Sequence, residues 1–148
     1  MSGTTFTFPY RLAPSQRKLK EPEHPILYPL IPVVLSFGGK SYPMEALIDS
    51  GADRVLIPRQ IANGMNLPRG KETLITGVGK KGIGFETRIG IMIGSLKAHS
   101  YDFGAIDAVY PEVESGIPIL LGRSPLFDFF EITFKQYLDK PKVVLTLM

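Results

Sequence analysis

The stretch Ala46-Leu47-Ile48-Asp49-Ser50-Gly51-Ala52-Asp53 places a carboxylate at the end of a short apolar strand and follows it at once with Ser-Gly. Carboxylates at buried strand ends are uncommon unless they are paired or hydrogen-bonded. No His, Cys or Lys adjoins Asp49 as a partner base. Gly51 permits a close backbone approach and can turn its N–H towards the carboxylate. Ser50 can hydrogen-bond across an interface. Two roles fit these residues. One is an Asx-turn cap that closes the strand. The other is hydrolytic chemistry, which needs a second aspartate facing the first.

The motif occurs once in the chain, so the second aspartate would come from another copy across a two-fold axis. Two carboxylates in one site share a proton, because both cannot ionise cheaply. The ionised member can then take a proton from a water, and the neutral member can donate one to a scissile carbonyl oxygen. This chemistry calls for no metal and no cofactor.

Away from this loop the chain has the composition of one compact domain. Of its 148 residues 44% are apolar and 21% charged, enough for a single core. With 15 Gly, 13 Pro and few helix-like runs, short strands and tight turns are favoured. The absence of Cys excludes a disulfide scaffold, a thiolate metal site and a thiol nucleophile. His24 and His99 show no ligand pattern, so a metal site is not expected. No apolar run approaches the ~20 residues of a membrane span. The start Met1-Ser2-Gly3-Thr4 lacks the pattern of a secretory signal, and the expected compartment is the cytoplasm.

Much of the net charge of +3 comes from Arg11, Arg17, Lys18 and Lys20. A leading basic patch is more often a solvated tail than a nucleic-acid contact, so nucleic acid is not an expected partner. Residues 1–30 read as a proline-rich arm, since Pro9, Pro14, Pro22, Pro25 and Pro29 oppose a regular helix or an interior strand. The domain proper is then 31–148.

Val33 to Phe37, a Gly38-Gly39 turn and Ser41 to Ile48 predict a hairpin. Val55-Leu56-Ile57 resumes extended structure, and Arg59 to Met65 predicts a short helix. Ile89 to Ile93, His99 to Ile106 and Ile117 to Leu121 predict further strands. Phe129 to Phe134 and Val143 to Leu147 predict a last hairpin around Asp139-Lys140-Pro141. The Gly-x-Gly pairs at 77/79 and 82/84 lack the context of a nucleotide-binding fingerprint. A mostly β, barrel-like domain is the simplest outcome.

Three motifs in order resemble the retroviral-type aspartic proteases, the retropepsins and their cellular relatives. Leu47-Ile48-Asp49-Ser50-Gly51-Ala52-Asp53 follows their apolar-apolar-Asp-Ser/Thr-Gly-Ala pattern. Ile119-Leu120-Leu121-Gly122-Arg123 is similar to their apolar-apolar-Gly-Arg signature. Leu74-Ile75-Thr76-Gly77-Val78-Gly79 looks like their glycine-rich flap. The resemblance spans roughly residues 32–134 and implies an all-β closed barrel with a flap hairpin and one short C-terminal helix.

By position, the resemblance makes Asp49 the catalytic aspartate and Ser50 a group that bonds the opposite loop across the two-fold axis. Gly51 would accept a main-chain hydrogen bond from substrate, and Asp53 would contact the substrate backbone and pair with Arg123, a structural clamp. Arg54 stands where a second acidic residue is common, consistent equally with a distinct subsite preference for acidic side chains or with a solvated arginine. Ala52 cannot donate a hydrogen bond to the carboxylate as a serine would. Activity at less acidic pH than in serine-bearing relatives is expected.

Leu47, Leu56, Val78, Ile117, Pro118 and Leu120 are the expected walls of an apolar cleft, and each fits ordinary core equally well. Thr76, Gly77, Val78 and Gly79 would close over an extended peptide. Lys80-Lys81 departs from the viral pattern, which has another glycine there. The chain also continues past the point where the viral enzymes end. An uncovered Val143–Leu147 strand would invite aggregation, so the C-terminal hairpin is expected in an inter-subunit sheet. The leading expectation is a homodimeric aspartic endopeptidase acting on peptides or unfolded protein, with no membrane partner. The alternative is a catalytically weak peptide-binding or dimerisation module on the same fold.

Overall fold

Gly38 and Gly39 both take positive φ, 61° and 79°. Residues without a Cβ suit such a turn, whose twist matches the strands on either side. It joins β4 (Leu30–Phe37) to β5 (Lys40–Ile48). In a computed structural model the chain is described at residues 4–17, 19, 24–77, 80–95, 99–114 and 116–148.

The segment ahead of β4 holds β1 (Thr5–Pro9), β2 (Arg11–Leu12) and β3 (Leu27–Tyr28). After β5 come β6 (Val55–Leu56), a short helix α1 (Arg59–Gly64), β7 (Glu72–Gly77), β8 (Lys80–Gly94) and β9 (Ser100–Pro111). The chain closes with β10 (Ile119–Leu121), β11 (Phe130–Lys135) and β12 (Lys142–Leu147).

A seven-stranded sheet runs in the order β4-β5-β10-β6-β9-β8-β7, and β8 also pairs with β4. That extra pairing curls the sheet on itself into a barrel. It passes through Ser36 opposite Gly90, where a Cβ on residue 90 would lie 2.2 Å from the Ser36 hydroxyl. A larger residue would have to turn the Ser36 side chain aside and would sit 3.2 Å from the Ser36 carbonyl oxygen, so glycine eases the close approach where β8 leaves one partner for the next. Ile31, Val33, Leu35, Ala46, Ile48, Val55, Ile57, Ile89, Ile91, Ile93, Ile119 and Leu121 fill the interior. Their alternation along β4, β5 and β8 is the period of strands with one face inward.

A second, three-stranded sheet has the order β1-β12-β11. The strand with the strongest apolar character, Val143 to Leu147, is thus central, flanked by β1 and β11. β1 lies at an edge, the place where a strand ending in Pro9 is tolerated. Its Phe6 is buried with Phe130, Val143 and Leu145 in the main core. Arg11 and Arg17 both pair with Glu45 of β5, the second at 2.6 Å. Burial works against the Glu45 anion, but the two guanidinium groups prevail and hold its carboxyl below the ordinary range.

The short C-terminal helix is not a distinct element. After Gly122 the chain makes one π-type turn, Arg123–Phe127, with Ser124 extended inside it (φ −104°, ψ 129°). Two hydrogen bonds draw the start of this segment onto the Asp49 loop, from Arg123 N–H to the Ala52 carbonyl and from Ser124 N–H to the Asp53 carbonyl. Ser124 directly precedes Pro125, whose ring disfavours helical geometry in the residue before it, so the segment does not wind regularly from its start. Two strands are longer than the apolar runs that announce them. Ile89 to Ile93 is only the inner part of β8, and the strand expected over His99 to Ile106 runs on to Pro111 as β9. Among the described residues no helix is long and apolar enough to cross a membrane.

Candidate active site

β5 and β6 are joined by residues 49–54, and β10 lies between those two strands, parallel to β5 and antiparallel to β6. The connecting loop therefore has to pass over the end of β10. Three backbone contacts fix the crossing. Asp49 N–H donates to the Leu121 carbonyl at 3.0 Å, Arg123 N–H to the Ala52 carbonyl at 2.8 Å, and Ser124 N–H to the Asp53 carbonyl at 3.0 Å. Gly122 sits beneath, and a Cβ there would lie 2.3 Å from the Arg54 carbonyl oxygen and 2.7 Å from that of Ala52. The Leu-Leu-Gly sequence of β10 is thus the counterpart that lets the Asp-Ser-Gly loop close down.

Within the loop, Gly51 N–H donates to Asp49 Oδ1 at 2.9 Å, and Ala52 N–H donates to the Asp49 carbonyl at 3.2 Å. The Asx turn is real, and it leaves the carboxylate half-buried at the edge of a cleft. An Asx cap and a chemically active aspartate are therefore not exclusive here. The same N–H that closes the turn fixes the direction of the carboxylate. Ser50 is exposed.

The cleft has a volume of about 510 Å³. Asp49, Gly51, Ala52, Asp53 and Arg54 form one wall, Leu56, Ile117 and Leu120 lie on the apolar side, and Val55, Val109, Leu74 and Ile75 complete it. Leu120 is opposite Leu56 in the sheet, and Leu56 is opposite Val109, so the apolar floor is one lateral row across β10, β6 and β9. Leu47 continues that row on β5, opposite Leu120, but stands outside the cleft, and Pro118 does not line it either. Val55, Val109, Leu74 and Ile75 were not among the expected walls, although Leu74 and Ile75 open the stretch read as the flap. Val109 is read only through strand register. Leu74 is 69% exposed, a large apolar side chain offered to solvent beside the cleft.

β7 and β8 pair antiparallel from Glu72 opposite Phe85 to Gly77 opposite Lys80. Thr76 and Gly77 lie at the far end of β7. Val78 and Gly79 lie outside the described residues.

Arg123 forms an ion pair with Asp53, whose side chain is 78% exposed. So exposed a pair contributes little in one chain, about 0–1 kcal/mol, and the backbone contacts of Arg123 and Ser124 hold the crossing more firmly. Arg54 is neither free nor fully engaged. Its guanidinium donates to Glu86 Oε1 at 3.4 Å and to Thr73 Oγ1 at 3.3 Å, which ties the loop to the root of the β7–β8 hairpin. Among the described residues no group of acidic or His side chains could hold a metal ion. His99 stacks on Phe6 with ring centroids 4.3 Å apart.

The sequence family described as aspartyl protease matches residues 33–124, well over half of the chain and inclusive of both the Asp49 loop and Gly122-Arg123. Comparison with curated proteins gives no match. Among solved structures, a retropepsin-like aspartic protease from Rickettsia conorii is similar over 99% of this chain and 93% of its own, with a TM-score of 0.58 at 15% identity. A structure of EIAV protease complexed with the inhibitor HBY-793 aligns over 74% of this chain and 89% of its own, at 23% identity and a TM-score of 0.48. With a mostly β barrel of retropepsin-like topology and a family match across its central loops, the chain belongs to the aspartyl protease family.

Proposed function

We propose that this protein is a homodimeric aspartic endopeptidase in which Asp49 of each subunit contributes one carboxylate to a shared site. The observation that carries the proposal is the state of Asp49, half-buried at the cleft wall with Oδ1 held by Gly51 N–H, on a loop that occurs once per chain. The other acid of the loop, Asp53, is paired with Arg123, so it does not serve Asp49 as a partner. A second copy supplies that partner, and the pair holds one proton between them. The ionised member activates a water, the neutral member protonates the scissile carbonyl oxygen, and the roles reverse as the amine leaves.

The substrate lies extended over the Leu120–Leu56–Val109 floor, where apolar side chains flanking the cut are accommodated. Leu47, next to Leu120 in the same row but outside the cleft of one chain, would meet the peptide only where it passes from one subunit to the other. Ser50 reaches the opposite loop, and the Asp53–Arg123 pair gains strength as the interface removes it from water. The β7–β8 hairpin serves as the flap, with Thr76, Gly77, Val78 and Gly79 as its peptide-covering residues and exposed Leu74 on the peptide as it closes. Residues 1–30 act as an arm that adds β1 to the C-terminal hairpin, and that sheet helps to join the subunits.

The test is cleavage of peptide or unfolded-protein substrates at concentrations where sedimentation gives a dimer. Activity is expected to vanish on Asp49→Asn and to be blocked by a statine-type transition-state mimic. A dimer that binds peptides yet never cleaves them would instead make the chain a binding module on the same fold.

A further inference from the structure

We infer that Arg54 is a charge-selective substrate contact, and that it recognises an acidic side chain by exchanging Glu86 for it. The inference rests on the cleft being the peptide site proposed above. Arg54 lines that cleft next to Asp53, on the same wall as Asp49. Its partner Glu86 is on β8, with its backbone bonded on both sides, Glu86 N–H to the Lys71 carbonyl at 2.8 Å and its own carbonyl accepting Gly70 N–H at 2.7 Å. The Glu86 backbone is therefore fixed, and only its side chain can adjust.

The Arg54–Glu86 separation of 3.4 Å is long for a charge-assisted hydrogen bond, and the side chains are 37% and 46% exposed. The second contact, to Thr73 Oγ1 at 3.3 Å, is also long. A guanidinium presents its N–H groups as a rigid fork suited to a carboxylate, and this one is not saturated. A peptide carboxylate entering the cleft meets a fork already oriented by Thr73 and held by a weak, solvent-accessible anion that can turn away. A peptide lysine meets the same fork as a repulsive charge. Glu86 thus has two effects. It keeps Arg54 ordered in the empty cleft, and it competes with the substrate for the same donors.

Those two effects separate the proposal from a purely structural tie. Ten-residue peptides with apolar residues around a central reduced amide, which cannot be hydrolysed, are titrated against the protein. Glu, Gln or Lys is placed in turn at each flanking position. At one position Glu is expected to bind about fivefold more tightly than Gln, with Lys weakest and the difference shrinking in high salt. Arg54→Gln abolishes the Glu/Gln ratio, and Arg54→Lys, which keeps the charge without the fork, retains part of it. Glu86→Gln widens the ratio about threefold, because the competitor is gone.

A ratio near one at every position overturns the inference. So does an Arg54→Gln protein that keeps the preference, or a Glu86→Gln protein that loses it in parallel with Arg54→Gln. The measurement is of binding, so it stands apart from turnover. A chain that cleaves no peptide but shows this charge pattern overturns the endopeptidase proposal and supports the role of Arg54.

Discussion

Asp49 N–H donates to the carbonyl of Leu121 at 3.0 Å, so the loop that carries the acid is hung from a strand far along the chain. The geometry works because Gly122 follows Leu121 with no Cβ. Any side chain there would press on the carbonyls of Arg54 and Ala52, at 2.3 and 2.7 Å, which are backbone atoms with nowhere to go. Gly122→Ala is therefore expected to destabilise the protein by about 1–3 kcal/mol, the range for forced overpacking. Urea unfolding measures it. A neutral effect would mean that the crossing is looser than these distances require.

The loop itself was legible in the sequence because it is written locally. Asp-Ser-Gly after an apolar run, Gly38-Gly39 between two strand patterns and the Val143 to Leu147 run each correspond to an element present in the fold. What was not legible depends on register between distant strands. Val109 joins the cleft floor only because β6 and β9 align Leu56 with it. Leu47 is kept from the cleft by its place one strand beyond Leu120. The outer half of β8 was hidden because Gly82 and Gly84 interrupt its apolar pattern, although Gly84 lets Ile75 lie across the strand, with Cδ1 2.3 Å from where a Cβ would be. Nothing local marked Glu45, whose two arginine partners come from the arm.

Glu45 gives the arm a dependence on pH. Burial alone would raise its carboxyl, but Arg17 and Arg11 outweigh that and leave it depressed. A folded-state value below the unfolded one means that the contribution is complete above the unfolded carboxylate range, about pH 4.3, and is lost as pH falls through the depressed value. The arginines are partly exposed, so with solvent screening the contribution is about 0.5–1 kcal/mol. Wild type should exceed Glu45→Gln in unfolding free energy by that amount at neutral pH, and the gap should close on acidification and in high salt. A gap that grows towards low pH would reverse the assignment.

Ala52 sits in the loop with its N–H and carbonyl both committed to backbone contacts, and its side chain is a methyl. Serine at this position could add a hydroxyl donor near the Asp49 carboxylate without disturbing those bonds. A donated hydrogen bond favours the charged carboxylate and lets it form at lower pH. Ala52→Ser should move the acid limb of the pH–rate profile to lower pH, with the alkaline limb moved less. An acid limb that stays in place, or moves up, would show that residue 52 does not address the carboxylate.

The shared-site proposal makes a quantitative demand on Asp49. Asp49→Asn preserves size and can keep the Gly51 N–H contact through its amide oxygen, so the variant should fold and dimerise normally. Its rate should fall by at least about a hundredfold, the low end for losing a general acid–base group. Mixing decides whether the site is shared. If wild-type and variant subunits are combined equally and allowed to exchange, random pairing leaves about a quarter of the dimers with both acids. Activity per total subunit should then settle near that quarter, against half for sites that work alone, and it should approach it at the rate of subunit exchange. A value fixed at half would show that each chain carries a complete site, and the two-fold arrangement of Asp49 would have to be abandoned.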